Sequence, residues 1–463
     1  MFVGPDTVWK LKKAVRLPFL DFTTLSERER TARRELELNA PHAPGMYRDV
    51  VPVTRHPGAA PVLAGDGPVI DWVLRMAPVP ADDFLDHRAA TTGLDAAWLD
   101  RMADTVAAMH ARLPPVTRDQ TAGFAWLAQG NRASALSAGI APERVGAWFS
   151  AMGHRLAGLA PWLAARETES FVRRIHGDLH LGNLCLWQGH PVPFDALEFD
   201  EAMATFDTGY DLAFLLMDLD LRAGRQAANR VMNRYIARTG DVGLLRGLPV
   251  FLSMRAMVRA HVAARSDDPE ASARYLAAAE AYLAPAAPVV LAIGGLQGTG
   301  KSTQARRLAP ELGPAPGAVI LRSDELRKFI NGLAPEDKLP QSAYRPKVSR
   351  IVFDTLARHA ATAAAAGHAV IADGMFFAAD QRAAIEVAAG AAPFHGFWLT
   401  APMAELEARV NGRVGDASDA DVEVLRRAAR GDPGPGAWHP IRAGNADDPV
   451  AEMRLIMRHN NTI

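Results

Sequence analysis

Two short runs in this chain hold the residue types that handle phosphate. IHGDLHLGN, residues 175–183, sets two histidines, an aspartate and an asparagine close together, and GLQGTGKS, residues 295–302, ends a glycine-rich turn in lysine and serine. The first run admits two chemistries. His176, Asp178 and His180 alternate, so on a strand they would share one face and could ligate zinc. No further histidine cluster lies near in sequence, and the single cysteine, Cys185, sits in the apolar run LCLW. Phosphoryl transfer accounts for more of the residues. That chemistry needs a carboxylate beside the acceptor hydroxyl and oxygen ligands for magnesium. Asp178 would orient and deprotonate the hydroxyl, Asn183 would reach a metal ion, and Asp195 in PVPFDALEF supplies the second metal-binding carboxylate. The histidines then brace the loop and do not chelate.

The second run fits G-x-x-x-x-G-K-[ST] in full, between the apolar strand VVLAI and a helix. Gly295, Gly298 and Gly300, with Thr299 and Thr303 beside them, let backbone N–H groups turn onto phosphates. Lys301 reaches the β- and γ-phosphates and Ser302 reaches magnesium, so ATP and Mg²⁺ are the implied cofactors. Asp373 ends the strand of VIADG. From there it serves either the magnesium shell or the substrate.

These runs must be held by two different frameworks. The 463 residues suffice for two or three domains, and 49% hydrophobic with 22% charged residues is ordinary for a globular protein. A net charge of −1 argues against nucleic acid as a partner. The lone cysteine fits a reducing compartment. The start lacks a signal-peptide core and no apolar run is long enough to span a membrane. A cytoplasmic location is therefore expected. A proline-broken connector, APAAP at 284–288, separates the halves and divides the chain into domains 1–284 and 289–463. The second half alternates strands and helices, the pattern of a parallel α/β sandwich. The first half begins with a hairpin, FVGPDTVWKLKKAV, turning at GPDT. A helix from TLSERE to about Asn39 follows, capped by Thr24 or Ser26. The strands YRDVVPVTR and VIDWVLRM come next, then mostly helix, giving a small β-rich lobe and a larger helical one.

The spacing of HGDLHLGN and PVPFDALEF resembles the catalytic loop and metal-binding aspartate of protein kinases, with His-Gly-Asp for His-Arg-Asp. Within that fold the segment looks like the aminoglycoside phosphotransferase and choline kinase branch. TGYDLAFLL is similar to it too, which implies that Asp211 braces the loop. A kinase-like lobe also needs a strand lysine held by a helix glutamate. Lys10 and Lys12 lie on one face of VWKLKKAV, and either could meet the phosphates. Glu35 of RRELELN is the partner, with Glu37 as the alternative. Too few residues precede Lys10 for a first strand, a covering loop and a second strand, so the first strand and covering loop are expected to be missing.

RSDELRK, 322–328, resembles small-molecule and polynucleotide P-loop kinases. The likeness implies Asp324 as the base and Arg327 as a substrate or phosphate anchor. ARVNGRVGDASDADVEVLRR is similar to the lid of those kinases, implying that Arg409 and Arg413 meet the transferring phosphoryl group, with Ser418 capping the next helix. The whole chain resembles bacterial two-domain proteins described as bifunctional aminoglycoside phosphotransferase/ATP-binding proteins. The KKAVRLPFLDFTTLSERERTARRELELN stretch and the HGDLHLGNLCLW and PVPFDALEF blocks carry that resemblance. The expected fold is thus a bilobal α+β kinase-like domain followed by a P-loop α/β domain. The expected activity is an ATP- and Mg²⁺-dependent phosphotransferase with a small hydroxylated acceptor, centred on the P-loop, with a possible second kinase site. The alternatives are a nucleotide-dependent sensor without turnover and a polynucleotide 5′-hydroxyl kinase.

Overall fold

Gly4 N donates to Thr7 O at 2.9 Å and closes the first turn, so Phe2–Val3 pairs antiparallel with Val8–Lys10 as the GPDT signal predicts. The structure is a computed structural model that describes residues 1–463 except 18–19, 413–416, 432–437, 461 and 463. The chain divides into two compact units, residues 1–223 with 250–280, and residues 224–249 with 281–463.

The first unit opens with a five-stranded antiparallel sheet in the order Phe2–Val3, Val8–Lys10, Val69–Met76, Tyr47–Thr54, Val62–Leu63. The lysine strand is therefore shorter than the sequence suggests, and Lys12 lies beyond it. One two-residue strand and a tight turn precede it, with no long glycine-rich loop between them. The helix Leu25–Asn39 starts at Thr24, whose hydroxyl accepts from Glu27 N at 3.3 Å. Ala32 and Leu36 on its inner face pack with Tyr47, Leu74 and Met76 of the sheet. The remainder of this unit is mainly helical, around the fully or nearly fully buried rings of Phe124, Phe206, Tyr210 and Phe251. Two short antiparallel ladders flank the 175–183 loop. Val172–Arg174 pairs with Thr205–Asp207 before it, and Leu184–Trp187 pairs with His190–Pro193 after it. This is the bilobal α+β arrangement expected from the sequence.

The second unit is a parallel five-stranded sheet in the order Val319–Arg322, Val370–Asp373, Val290–Gly295, Phe394–Thr400, His439–Arg442. The central strand Val290–Gly295 is apolar and buried along its whole length, as a strand covered on both faces must be. Leu291, Ile293, Ile371, Phe397 and Leu399 form the core with Ala305 and Leu308 of the helix Lys301–Leu308. Glycine is required where the phosphate loop passes its neighbours. A Cβ on Gly295 (φ +130) would lie 2.4 Å from Leu399 O, and one on Gly298 (φ +84) 2.8 Å from Leu406 O. The helix Val422–Ala429 is capped by Asp421, whose carboxylate accepts from Val424 N at 2.8 Å. Ser418, the expected cap, lies too far before the helix to serve.

The division of the chain places 224–249 with the second unit, although the sequence expectation assigns it to the first. Gly224, at φ +93, begins this excursion and the helix Arg225–Thr239 follows. Its polar side chains pair with the edge strand of the P-loop sheet. Asn229 and Asn233 donate to Ala318 O at 3.0 and 3.2 Å, and Ile320 N donates to Asn233 Oδ1 at 2.6 Å. Arg234 and Arg238 both bond Glu336. Among the described residues no helix is long and apolar enough to cross a membrane.

Candidate active site

In the first unit the loop 175–183 is hung from the helix Thr208–Arg222. Asp211, fully buried, accepts from His176 N at 2.9 Å and from Gly177 N at 3.0 Å, with His110 Nε2 at 3.2 Å. Two turns further along the same helix, Asp218 accepts from Leu181 N at 3.0 Å. Arg255 donates to Gly177 O at 2.9 Å and to Tyr210 O of that helix at 3.2 Å. The histidines are used within the loop. His176 Nε2 is 3.0 Å from Phe194 O, and His180 Nδ1 accepts from Gly182 N at 3.0 Å. Asn183 Nδ2 donates to Asp178 Oδ2 at 2.8 Å and to its carbonyl at 2.9 Å. Burial acts to raise the Asp178 carboxyl, but the hydrogen bond and charge of His180, with His176 and Arg255 behind it, prevail and hold it at about 2.

Lys10, Lys12, Glu35 and Asp195 come together, and Glu198 joins them. Glu35 has no exposed surface and receives both lysines, Lys10 Nζ at 2.7 Å and Lys12 Nζ at 2.6 Å. Lys10 also pairs with Asp195, and Lys12 with Glu198. Two cations are thus shared among three carboxylates. Glu37, the alternative partner, pairs with Arg34 and lies largely exposed. Burial disfavours the charged form of Asp195, and Lys10 overrides it to lower that pKa. Burial raises Glu198 above the usual carboxylate value. Asp195 sits just past its strand at φ +61, a left-handed conformation that Tyr47 helps hold by accepting from Asp195 N at 2.9 Å. Asn39 ties the same segment to the helix, accepting from Ala196 N at 2.9 Å. Sequence reasoning missed Glu198, Asn39, Asp218 and Arg255. Asp218 was accessible in principle, since Asp211 and Asp218 are two helical turns apart on one face.

In the second unit a cleft of about 950 Å³ opens at the carboxyl edge of the sheet, where ligands of such folds bind. It is lined by Gly298, Gly300, Lys301, Ser302 and Thr303 from the phosphate loop, and by Asp324, Arg327, Asp373 and Arg409. Gly295 and Thr299 are set behind it. The Thr299 hydroxyl donates to Leu296 O at 2.8 Å and closes the turn. Lys301 Nζ donates to Gly295 O and Leu296 O, each at 2.9 Å. Ser302 Oγ donates to Asp373 Oδ2 at 2.5 Å, and Arg322 Nε approaches the same oxygen at 3.3 Å. A hydroxyl and a carboxylate in contact at a phosphate loop form a donor set suited to magnesium. Asp324 begins the helix Ser323–Ile330 without capping it. Burial, reinforced by the charge of Asp373, raises its pKa against the pull of Arg322, Lys301 and the Ser418 hydrogen bond.

Arg327 Nη1 donates to Ala343 O at 2.7 Å and to Ser349 Oγ at 3.2 Å, and its guanidinium stands 5.0 Å from the Tyr344 ring centroid. Arg409 braces the loop. It donates to Gly298 O at 3.3 Å and Ala443 O at 2.7 Å, and also bonds Glu405 and Asn445. Arg413 lies outside the described residues. Asp419, which the sequence did not single out, accepts from Leu339 N at 3.0 Å and Tyr344 OH at 2.9 Å and pairs with buried Lys328 at 3.3 Å. Among the described residues no group of three or more His, Cys, Asp or Glu is arranged to hold a metal ion. Any magnesium here would rely on phosphate oxygens for much of its shell.

Relatives that match along most of the chain are uncharacterized proteins of Mycobacterium bovis and Mycobacterium tuberculosis, each 28% identical over 92% of this chain and 86% of its own. A gluconokinase from Sinorhizobium meliloti is 19% identical, covering 38% of this chain and 97% of its own with a TM-score of 0.25. An aminoglycoside phosphotransferase from Streptomyces rimosus, solved with ADP and streptomycin, is 22% identical. It covers 54% of this chain and 86% of its own with a TM-score of 0.34. At these scores the likenesses carry no argument about chemistry, which rests on the geometry above. Residues 290–431 match the family described as an AAA domain, which spans the phosphate loop, Asp324, Asp373 and Arg409.

Proposed function

We propose that this chain is an ATP- and Mg²⁺-dependent phosphotransferase whose acceptor is a hydroxyl of a small molecule, with the cleft of the second unit as its centre. The observation that carries the reading is the meeting, in one cleft, of Lys301, the Ser302–Asp373 pair and a carboxyl, Asp324, raised towards the range of a working base. The backbone of 298–302 and Lys301 bind the phosphates, with Lys301 exchanging the carbonyls of Gly295 and Leu296 for phosphate oxygens. Ser302 and Asp373 would hold magnesium, which supplies charge neutralisation along the phosphate chain. Asp324 orients the acceptor hydroxyl and takes its proton. The acceptor oxygen forms a bond to the γ-phosphorus as the bond to the bridging oxygen breaks, and ADP leaves. Arg327 anchors the acceptor. Arg409 we assign to holding the phosphate loop in shape and not to touching the transferred group.

The paired state of Lys10 and Lys12 supports a second reading of the first unit, as a module that binds ligand or partner without turning over ATP. One experiment addresses both. Binding of a non-hydrolysable ATP analogue with Mg²⁺ is measured by calorimetry on the full chain and on Lys301→Ala, alongside ADP formation. The proposal expects ADP formation to fall by about 10²–10³-fold in the variant. Unchanged ADP formation would sink it. A single binding site abolished by Lys301→Ala would favour the non-catalytic reading of the first unit. Two sites falling to one would assign nucleotide to that unit as well.

A further inference from the structure

We infer that the chain supplies an acceptor of its own to the P-loop cleft, and that Ser418 is a phosphorylation site filled in cis from the γ-phosphate of ATP. This rests on the reading of the cleft as a phosphotransferase centre and adds a second destination for the phosphoryl group. Ser418 lines the cleft together with Lys301, Ser302, Asp324 and Asp373. Three other hydroxyls of that lining have different partners. Ser302 Oγ donates to Asp373, Tyr344 OH donates to Asp419, and Ser349 Oγ takes Arg327 Nη1. The Ser418 hydroxyl is turned instead to the carboxyl of Asp324, the group assigned to receive the acceptor's proton. A reacting hydroxyl must touch its base and lie near the phosphorus. Ser418 meets the first condition as it stands. For the second, Asp324 is close enough to Lys301 and Asp373 for both charges to act on its carboxyl, and Lys301 is the residue that grips the β- and γ-phosphates.

Both flanks of Ser418 are pinned. Ala417 before it is buried. Asp419 after it accepts from Leu339 N at 3.0 Å and Tyr344 OH at 2.9 Å, and pairs at 3.3 Å with Lys328, which is buried. Asp421 then caps the helix Val422–Ala429. Leu425 of that helix packs with Leu406 and Val410, and Leu296 of the phosphate loop rests on the same cluster. These anchors hold the serine beside the base, and a nucleophile carried on the same chain needs no separate binding step. The transfer balances as it does for an outside acceptor. The Ser418 O–H proton passes to Asp324, Oγ forms a bond to the γ-phosphorus as the bond to the bridging oxygen breaks, and ADP leaves. The product is a phosphoserine, whose added negative charge lies beside Asp324 and Asp419.

The test takes the full-length protein, freed of phosphate by a phosphatase, and incubates it with ATP and Mg²⁺ without any acceptor. Phosphate is then mapped by peptide mass spectrometry. The expected result is phosphate on Ser418, entering at a rate per chain that does not change with protein concentration. Lys301→Ala and Asp324→Asn should each slow its entry by about 10²-fold or more. Ser418→Thr keeps a hydroxyl at this position and should still be phosphorylated there, whereas Ser418→Ala should not. An unphosphorylated Ser418 would overturn the inference, as would phosphate that enters faster per chain as protein concentration rises, or at an undiminished rate in Asp324→Asn. Loss of the parent reading looks different. There ADP formation itself would be the same in wild type and Lys301→Ala, whatever the state of Ser418.

Discussion

Lys10 and Lys12 in the first unit are each clamped between two carboxylates, whereas Lys301 in the second unit rests on the carbonyls of Gly295 and Leu296. The contrast sets different thresholds for an incoming phosphate. In the first unit phosphate must compete with Glu35, Asp195 and Glu198 for two cations, and removing a lysine from a buried carboxylate leaves charge uncompensated. In the second it meets a backbone cradle shaped in advance by glycine. N–H groups preformed by a glycine-shaped backbone make the better phosphate receptor, even though the first unit brings two lysines to its site.

The largest effect expected from breaking this contrast is at Glu35. It anchors both lysines with no exposure of its own, so Glu35→Ala should destabilise the first unit by about 3–5 kcal/mol. Chemical denaturation followed by hydrogen exchange should show the loss confined to that unit. Loss spread evenly over both units would dissolve the contrast. A smaller change is expected at Gly298, where a Cβ meets the Leu406 carbonyl in a left-handed conformation. Gly298→Ala should cost about 1–3 kcal/mol of backbone strain, read as roughly ten- to a hundredfold weaker ATP-analogue binding, without change in the first unit. The smallest effect concerns pH, and its sign differs between the units. Asp178 is held at about 2 against an ordinary 3.8, so its contribution to stability is present above pH 4 and fades as pH falls towards 2. Asp324 is raised, so the folded state favours its protonated form and its contribution weakens as pH rises from 3.8 through the folded value. As a base it fails on the way down through that same value, placing the acid limb of ADP formation above the ordinary aspartate range. Hydrogen exchange at pH 3 and pH 7 should therefore shift in opposite directions around the two residues. An acid limb at or below the ordinary range would remove Asp324 as the base.

The legible parts were those in which a local pattern does its work locally. The phosphate loop between strand and helix, the GPDT hairpin and the Thr24 cap each depend on a few adjacent residues, and the strands VVLAI and HAVIA are apolar enough to show themselves. His439–Arg442 did not, because four residues containing a proline at the sheet edge carry almost no periodicity. The cap of Val422–Ala429 was misplaced within SDAD because three residues of that run, Ser418, Asp419 and Asp421, can cap and only the true helix start separates them. In the site, Lys10, Lys12 and Glu35 were singled out through the kinase-like resemblance, which asks for a strand lysine and a helix glutamate, but Glu198 was not. Its partner Lys12 is 186 positions away, and nothing local to FDALEF distinguishes it from a surface glutamate. The Asn229 and Asn233 contacts with the edge strand, 85 to 89 positions apart, were hidden for the same reason.

That helix has a consequence for the order of events at the ribosome. Residues 224–249 leave the exit tunnel well before the strand Val319–Arg322 that Asn233 pairs with, and the chain then returns to complete the first unit from residue 250. During synthesis this segment must wait, its amide side chains solvated, while the residues on either side of it find their places. The first unit can thus be finished at residue 280, before the second has most of its sheet, with a segment of the second already made and waiting. A cut at the 284–288 connector would release a second unit without the helix that lines its edge strand, so a fragment meant to isolate the P-loop centre should supply 224–249 as well.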